Sequence, residues 1–309
     1  MKAFTATGRT GRTGESVRLA EVEEPAQRPD QALVKVEAYS VNRGETFQLE
    51  RPAAGWRPGK DVAGLVVQAA PDGSGPAVGA RVVGHPASGG WAEYVAVPTD
   101  ALAALPDTVD TVRAAALPLA GLTALRLLRA AGPLTGRRVL LTGASGGVGH
   151  YLTELAAAAG AELTAVTASA ERGARLAELG AAAVVRDVAE AAGPFDVVLE
   201  STGGRALPLA LARLAPRGLL LWFGQAGRQP ATLDFFDFFA GPVSATLRHF
   251  SYADVDQPDG PDLATLVRLV AEGRLHPEIG TVRGWRHTAE VLDDLRDRRV
   301  RGNAVLTVG

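Results

Sequence analysis

A turn of small residues lies between an apolar strand and an alanine-rich helix, and its spacing suits phosphate binding. Ala144, Gly146 and Gly149 fill the three positions of the pattern Gly/Ala-x-Gly-x-x-Gly. The middle glycine lets the backbone approach a pyrophosphate, and the last one lets helix and sheet pack closely. The free N–H groups of the helix start, at Gly147 and Val148, attract anionic phosphates. The pattern predicts a dinucleotide site, and a purely structural glycine turn is the alternative.

The end of the following strand bears on which dinucleotide binds. An NAD site places Asp or Glu about 20 residues after the glycines, where the carboxylate holds the ribose 2′-hydroxyl. Here the strand ends in Val-Thr-Ala-Ser at 166–169, with Ser169 and Arg172 in place of a carboxylate. An arginine without a repelling acid favours the 2′-phosphate of NADPH. The alternative is that Arg172 is a solvated helix residue paired with Glu171 or Glu178.

The composition excludes several classes of site. The chain has 309 residues, 47% of them hydrophobic and 21% charged, with a net charge of −2, which is typical of a soluble globular protein. The start, MKAFTATGRTGRTGE, lacks the apolar region of a secretory signal, and no apolar run is long enough to span a membrane, so we expect a cytoplasmic protein. The scattered arginines predict no nucleic-acid surface. Because there is no cysteine, disulfides, thiolate-bound zinc and a cysteine nucleophile are excluded.

Three regions differ in the secondary structure that their patterns predict. Residues 1–118 carry short β-rich runs broken by Gly and Pro, which favours a small barrel or sandwich. Residues 119–247 alternate strands with helices, which predicts a parallel sheet with crossover helices. Residues 248–309 add two helices and a last strand. We therefore predict an α/β protein with two domains, since single cores stop growing at about 250 to 300 residues.

The order of these parts resembles the medium-chain dehydrogenase/reductase superfamily, and within it the zinc-free quinone oxidoreductases and enoyl reductases. The resemblance covers nearly the whole chain and rests on these segments: VN at 41–42, PGKDVAG at 58–64, ARVVG at 80–84, GGWAEYVAVP at 89–98, AAALPLAGLTAL at 114–125, ASGGVGHYLTELAAAAGA at 144–161, FDVVLESTGG at 195–204, PRGLLLWFGQAG at 216–227 and RGNAVL at 301–306. It implies a GroES-like β-barrel catalytic domain (1–118 and 248–309), an inserted Rossmann NADP-binding domain with a doubly wound parallel sheet (119–247), and a cleft where they meet.

The resemblance also implies an activity, the transfer of hydride from NADPH to a quinone or an α,β-unsaturated carbonyl compound. Zinc-dependent members have a catalytic cysteine where this chain has Val41-Asn42, and a histidine–glutamate pair where it has Lys60-Asp61. We therefore expect no metal, and enolate charge must be stabilised by hydrogen bonds. Two alternatives stay open: an enoyl-thioester reductase or biosynthetic tailoring enzyme of the same fold, and an NADPH-binding sensor or structural protein with little turnover.

Two residues are implied in catalysis. Asn42 is expected near the nicotinamide amide, as a donor to cofactor or substrate oxygen, with a turn residue after a strand as the alternative. Lys60 could stabilise an enolate or bind an anionic group, or it could lie on an extended surface strand. The further cofactor contacts that the resemblance implies are Thr123, at a helix start after Gly121, and Gly203, Phe223, Gly224 and Asn303.

Aromatic residues are expected in the substrate pocket. Several quinone reductases have a tyrosine where this chain has Phe47, so that hydroxyl donor is lost. The segment 233–250 places four phenylalanines in five positions, a density that favours a pocket lining or a subunit interface, with core packing as the alternative. We expect a small-molecule substrate and a homodimer. The pocket residues implied are Phe47, Trp56, Phe235, Phe239 and His249.

Overall fold

The computed structural model describes residues 1–8, 16–254 and 256–309. These form two compact units: unit 1 is Met1–Leu122 with Asp256–Gly309, and unit 2 is Thr123–Val255. The domain limits predicted from the sequence lie after residues 118 and 247. Residues 9–15, part of the start segment interpreted above, lie outside the described residues.

The elements are numbered in chain order. The strands are β1 (Lys2–Ala6), β2 (Val17–Glu21), β3 (Gln31–Val41), β4 (Asp61–Gln68), β5 (Arg81–Gly84), β6 (Tyr94–Pro98), β7 (Leu102–Ala104), β8 (Arg138–Leu141), β9 (Glu162–Val166), β10 (Ala183–Val185), β11 (Phe195–Glu200), β12 (Leu214–Trp222), β13 (Thr246–His249), β14 (Ile279–Gly284) and β15 (Asn303–Thr307). The α-helices are α1 (Arg43–Gln48), α2 (Thr111–Ala115), α3 (Pro118–Ala131), α4 (Gly147–Ala158), α5 (Ala170–Glu178), α6 (Ala206–Leu211), α7 (Asp259–Ala271) and α8 (Thr288–Arg296).

Unit 1 is built on a mainly antiparallel sheet. Its strands pair in the order β14-β15-β3-β4-β5-β7, β6 also pairs with β3, and β1 and β2 form a separate hairpin. The long strand β3 contains three Val, two Ala and one Tyr, and it is buried along most of its length. Neighbouring strands pair with both of its edges. Tyr39 stacks on Trp91 with ring centroids 5.8 Å apart, and its hydroxyl lies 2.6 Å from that of Thr288. This core holds the end of β3 and the start of β4 rigidly beside each other.

Unit 2 contains a six-stranded sheet in which every described pairing is parallel. The strand order is β10-β9-β8-β11-β12-β13, so counting from β8 the order is 3-2-1-4-5-6. The direction of chain progress reverses between β8 and β11, and open α/β sheets bind ligands beyond the carboxyl ends of the strands at this point. The apolar runs in β8 and β11 are buried because helices cover a parallel sheet on its faces. The parallel sheet predicted from the alternating pattern is confirmed.

One helix boundary differs from the prediction. Thr123 was expected at a helix start after Gly121, but α3 begins at Pro118 and already includes both residues. Proline suits the first helical position because its missing N–H needs no partner there. Gly121 lies inside the helix, where an added Cβ would come within 2.9 Å of Leu266, so close packing against α7 explains this glycine.

Among the helices of the described ranges, none combines the length and the apolar character that crossing a membrane requires.

Candidate functional site

The glycine turn of unit 2 joins β8 to α4 by backbone contacts that exclude larger residues. Gly143 has φ +64, and the N–H of Ala144 donates to the carbonyl of Val166 on β9 at 3.1 Å. An added Cβ at Gly149 would lie 2.3 Å from the Ala144 carbonyl oxygen, so only glycine fits there. Gly146 is the N-cap of α4 in extended conformation. The turn is therefore pressed directly against the first turn of the helix.

This geometry fits the pyrophosphate of a dinucleotide. The first turn of α4, at Gly147, Val148 and Gly149, carries N–H groups that a helix cannot satisfy internally. The helix dipole adds positive potential at the same place, and β8 ends at the point where strand order reverses. Gly146 is exposed, and an added Cβ there would lie 3.4 Å from the Gly143 carbonyl oxygen, so the turn carries no side chain at this position. The glycine turn and the start of α4 therefore suit the dinucleotide pyrophosphate that the sequence predicts.

A buried glutamate ties the neighbouring strand ends together. Glu200, at the end of β11, is fully buried and accepts hydrogen bonds from the Thr142 hydroxyl at 3.1 Å and the N–H of Thr202 at 2.8 Å. It also accepts from the N–H of Gly203 at 3.1 Å. Burial raises the pKa of Glu200, and these three donors oppose that increase. The carboxylate thus fixes the loop after β11 beside the glycine turn.

The loops beyond β11 and β12 contain three of the predicted cofactor contacts. Gly203 has φ +70, and an added Cβ there would meet the Gln225 side chain at 2.7 Å. The N–H of Phe223 donates to the Glu200 carbonyl at 2.9 Å, and a Cβ at Gly224 would lie 3.0 Å from the Ser201 carbonyl. The structure therefore brings Gly203, Phe223 and Gly224 to one edge of the sheet, together with the glycine turn.

The predicted ribose-phosphate residues lie at the end of β9 and the start of α5. Ser169 is the N-cap of α5, and its hydroxyl accepts from the N–H of Arg172 at 3.2 Å. Glu178, considered above as a partner of Arg172, is bound by Arg175 at 2.9 Å. Thr167 is 4% exposed, and its hydroxyl has no hydrogen-bond partner among the described residues. Most buried polar atoms have a hydrogen-bond partner, so this hydroxyl is an exception.

Unit 1 contains a second cluster, which is buried and polar. Asn42 is 8% exposed and is the N-cap of α1, and its amide nitrogen donates to the Asp61 carboxylate at 2.7 Å. Asp61 is fully buried and also accepts from Leu119 N–H at 2.9 Å and lies 3.2 Å from His85 Nδ1. The Ser40 hydroxyl donates to the same carboxylate. Asn42 thus combines the predicted site position with a structural role at the end of β3.

Glu45 adds a second acid to this cluster. It accepts from the N–H of Asn42 at 2.9 Å and from the N–H of Gly59 at 3.0 Å. Burial raises the pKa of Glu45 to about 8, and the negative charge of Asp61 adds to the increase. Lys60 is partly exposed, and its positive charge lowers the same pKa without outweighing burial. At neutral pH Glu45 is therefore mostly neutral.

The remaining predicted cofactor and pocket residues lie outside the two clusters described above. Thr123 is buried in the second turn of α3, and Asn303 is buried at the start of β15, where its amide donates to the Glu278 carbonyl at 3.1 Å. Phe47 is 36% exposed, and Trp56 is partly buried in unit 1.

In unit 2, Phe235 and Phe239 belong to a cluster of rings at the surface. Phe235, Phe236 and Phe239 are 69%, 74% and 67% exposed, and their rings contact one another. Core packing, the alternative for this segment, is therefore wrong for these three residues. His249 is exposed at the end of β13.

Sequence reasoning missed the groups that hold the two clusters in place. Glu200 directly precedes the Ser-Thr-Gly-Gly loop at the end of an apolar strand, and this position was a usable signal. Asp61 was noticed as one half of a replaced pair, but its partners Leu119 and His85 lie far away along the chain. No local sequence pattern indicates hydrogen bonds between residues this far apart in the chain.

Within the described part of the chain, no group of three or more His, Cys, Asp or Glu side chains is placed to hold a metal ion.

Comparisons with known proteins agree with this architecture. Residues 28–107 match the family described as "Alcohol dehydrogenase GroES-like domain", and residues 147–270 match the family described as "Zinc-binding dehydrogenase". The chain is similar to a quinone oxidoreductase of the rat, Rattus norvegicus, with 34% identity over 202 residues, which cover 63% of this chain and 61% of the rat protein. The matched part thus spans less than two thirds of that relative.

Two further similarities extend along nearly the whole chain. A mycobacterial protein solved in complex with NADPH superposes with a TM-score of 0.89 at 27% identity, covering 99% of this chain and 100% of the other. A mycocerosic acid synthase-like polyketide synthase of Mycolicibacterium smegmatis is 29% identical over 92% of this chain, which corresponds to 15% of that protein. The predicted fold class, a Rossmann parallel sheet with a GroES-like domain, is confirmed.

The contact between Gly149 and Ala144 gives a direct test of the turn. Gly149→Ala places a Cβ against the Ala144 carbonyl, so the helix start must shift away from the ligand. We expect the dissociation constant for NADPH to rise about tenfold or more, corresponding to about 1.4 kcal/mol. Titration followed by nicotinamide fluorescence measures it.

The matched control is Gly241→Ala in the same unit, where the new Cβ would make an ordinary 3.5 Å contact. That variant is expected to bind NADPH like the wild type. Wild-type affinity in Gly149→Ala would show that the turn does not hold the cofactor.

Proposed function

Because the chain belongs to the medium-chain dehydrogenase/reductase superfamily, in the group of the quinone oxidoreductases, we propose that it is a zinc-independent, NADPH-dependent oxidoreductase that reduces a quinone or an α,β-unsaturated carbonyl compound. The observation that carries the proposal is the glycine turn at the switch point of the unit 2 sheet, with Ser169 and Arg172 where an NAD site has an acid. The quinone oxidoreductase relative and the NADPH-bound neighbour support the same conclusion.

Specific residues of unit 2 would hold the cofactor. The N–H groups at the start of α4 would bind the pyrophosphate, because Gly146 is exposed without a side chain and Gly149 lets the helix begin directly on the turn. Arg172, beside the capping hydroxyl of Ser169, would pair with the 2′-phosphate through charge-assisted hydrogen bonds. When bound, NADPH supplies the hydride for the reduction.

The residues of unit 1 would stabilise the negative charge that develops on the substrate oxygen. Hydride addition to an enone or a quinone places negative charge on that oxygen, and preorganised donors or cations stabilise such charge. Lys60 is the cation that replaces the histidine of zinc-dependent members, and it lies partly exposed beside the buried Asn42 cluster. The absence of cysteine from the sequence and the Lys60-Asp61 replacement are the basis for proposing a reaction without zinc.

A second candidate is an enoyl-thioester reductase or a biosynthetic tailoring enzyme. The similarity to part of a polyketide synthase along 92% of this chain favours it. The chemistry would be the same conjugate reduction, with the anionic or thioester part of the substrate as the difference. Lys60 would then bind an anionic group of the substrate rather than the enolate oxygen.

A homodimer formed through unit 2 is a further part of the proposal. The exposed rings of Phe235, Phe236 and Phe239 form an apolar patch of a kind that monomeric proteins rarely leave in water. The strand β13 follows this patch and is the outer strand of the sheet, with one edge available for pairing. A cytoplasmic location and a small-molecule substrate belong to the same proposal.

The cofactor and the reaction can be tested together. We expect the protein to oxidise NADPH, followed at 340 nm, with quinones or enones as acceptors, and to prefer NADPH to NADH. Arg172→Ala should raise the dissociation constant for NADPH about tenfold and leave that for NADH unchanged, since only NADPH carries the 2′-phosphate. Arg175→Ala is the matched control, because Arg175 lies on the same helix and already pairs with Glu178.

Each other outcome has a defined meaning. Turnover restricted to enoyl thioesters would replace the quinone proposal by the second candidate. Tight NADPH binding without turnover on quinones, enones or enoyl thioesters would contradict an enzymatic function and favour a sensor. Equal weakening of NADPH and NADH by Arg172→Ala would refute the assigned contact.

The apolar patch makes the dimer testable. Phe236→Glu puts a charge on the most exposed ring, so a dimer held there should dissociate. Light scattering during size-exclusion chromatography should give the mass of two chains for the wild type and of one chain for the variant. Val78→Glu, at a 63% exposed residue of unit 1, is the control and should stay dimeric. A monomeric wild type would contradict the proposal.

A further inference from the structure

A single buried carboxylate organises the predicted substrate side of the molecule. Asp61 is the first residue of β4 and has no exposed surface. Its Oδ2 accepts from Asn42 Nδ2 at 2.7 Å and from the Ser40 hydroxyl. Its Oδ1 accepts from Leu119 N–H at 2.9 Å and lies 3.2 Å from His85 Nδ1. Four groups from three segments of unit 1 thus converge on one acid.

The carboxylate determines which way the Asn42 amide faces. Asn42 Nδ2 lies 2.7 Å from Asp61 Oδ2, so the NH₂ group of Asn42, which can only donate, is the part that points at Asp61. A flipped amide would place its oxygen against the carboxylate and lose a charge-assisted hydrogen bond. The second contact of Nδ2, at 3.5 Å from the Ser40 hydroxyl, lies on the same side. The amide oxygen of Asn42 is therefore turned away from Asp61, towards the start of α1, where Asn42 and Glu45 form a capping box. An amide oxygen has two lone pairs, so it can accept a second hydrogen bond there.

The neighbouring groups reinforce this arrangement. Glu45 is held by the N–H groups of Asn42 and Gly59 and is mostly neutral at neutral pH, as described above, so it does not compete for the Asn42 NH₂ group. The N–H of Leu119 belongs to the first turn of α3, where a carboxylate favours helix formation. Asp61 thus also fixes the start of the helix that carries Thr123.

We propose that Asp61 is a positioning residue for the reduction: it locks the Asn42 amide so that its oxygen, an acceptor, is presented to the ligand, while its nitrogen is retained by the protein. The proposal rests on the proposed function and changes one detail of it. The family resemblance implies that Asn42 donates a hydrogen bond, whereas we infer that it accepts one, from an N–H or O–H group of the substrate or product. Asp61 acts through Asn42 and is not itself in contact with the ligand.

The first test needs no substrate. In protein labelled with ¹⁵N, the side-chain NH₂ protons of Asn42 should exchange slowly with water, because they are buried and bound to a carboxylate. In Asp61→Asn, which weakens that acceptor, we expect their exchange to become fast while the remaining amide signals keep their positions. Unchanged slow exchange in the variant would overturn the proposal. This measurement is independent of any activity.

The second test separates positioning from folding. At saturating NADPH, Asp61→Asn should lower kcat about tenfold or more, since a misplaced group slows the chemical step. The isotope effect on kcat with NADPH deuterated at the transferred position should rise, because hydride transfer becomes slower relative to other steps. The dissociation constant for NADPH should change by less than a factor of about two, because unit 2 holds the cofactor. A lower kcat with an unchanged isotope effect would indicate a loss of folded protein and would overturn the proposal.

Two further variants complete the design. Asp110→Asn is the matched control, since Asp110 caps α2 in the same unit and its carboxylate accepts from Arg113 N–H. It should leave kcat and the isotope effect unchanged. If Asp61→Asn does not fold, Asp61→Glu keeps the charge and moves the acceptor by one methylene group, and it should show the same slow hydride transfer. A wild-type kcat in that variant would overturn the proposal, whereas a wild type without turnover would contradict the proposed function alone.

Discussion

The close contact between the backbone of Gly149 and the Ala144 carbonyl is the constraint on which the cofactor side of the molecule depends. With an added Cβ only 2.3 Å from that oxygen, no other residue lets α4 start directly on the turn after β8. This contact places the helix N-terminus at the reversal point of the sheet, where unsatisfied N–H groups and the helix dipole favour an anion. Glu200 then fixes the neighbouring loop by accepting from Thr142, Thr202 and Gly203. Backbone geometry and one buried acid together produce the site.

Unit 1 also contains a buried acid that fixes the groups around it, but there the group it fixes is the Asn42 side chain. Asp61, like Glu200, is a fully buried carboxylate whose cost of desolvation is offset by several hydrogen-bond donors. A second acid nearby, Glu45, has its pKa raised to about 8 by burial and by the charge of Asp61, so Glu45 is mostly neutral at neutral pH. Lys60, which the family resemblance aligns with a zinc-binding histidine, is partly exposed and places a positive charge near Glu45. The two units thus supply separate parts of the proposed reduction.

Much of this architecture follows from local sequence pattern. The parallel sheet could be predicted because apolar runs alternate with helical segments, and the glycine turn because its spacing lies between a strand and a helix. The start of α3 was placed too late, because the stabilising acid, Asp61, lies 58 residues before Leu119. For the segment with Phe235, Phe236 and Phe239 the sequence favoured a pocket lining or an interface but left core packing open, since a dense apolar segment suits either; the exposure of the three rings excludes the core. What sequence patterns miss are contacts between distant segments, and these position Asn42 and its neighbours.

The most direct test of the central claim is a crystal structure of the protein with NADPH. We expect the pyrophosphate oxygens to lie within hydrogen-bond distance of the N–H groups at Gly147, Val148 and Gly149, with the 2′-phosphate at Arg172. NADPH bound in the crystal with its pyrophosphate away from the start of α4 would contradict the claim that the glycine turn creates the site.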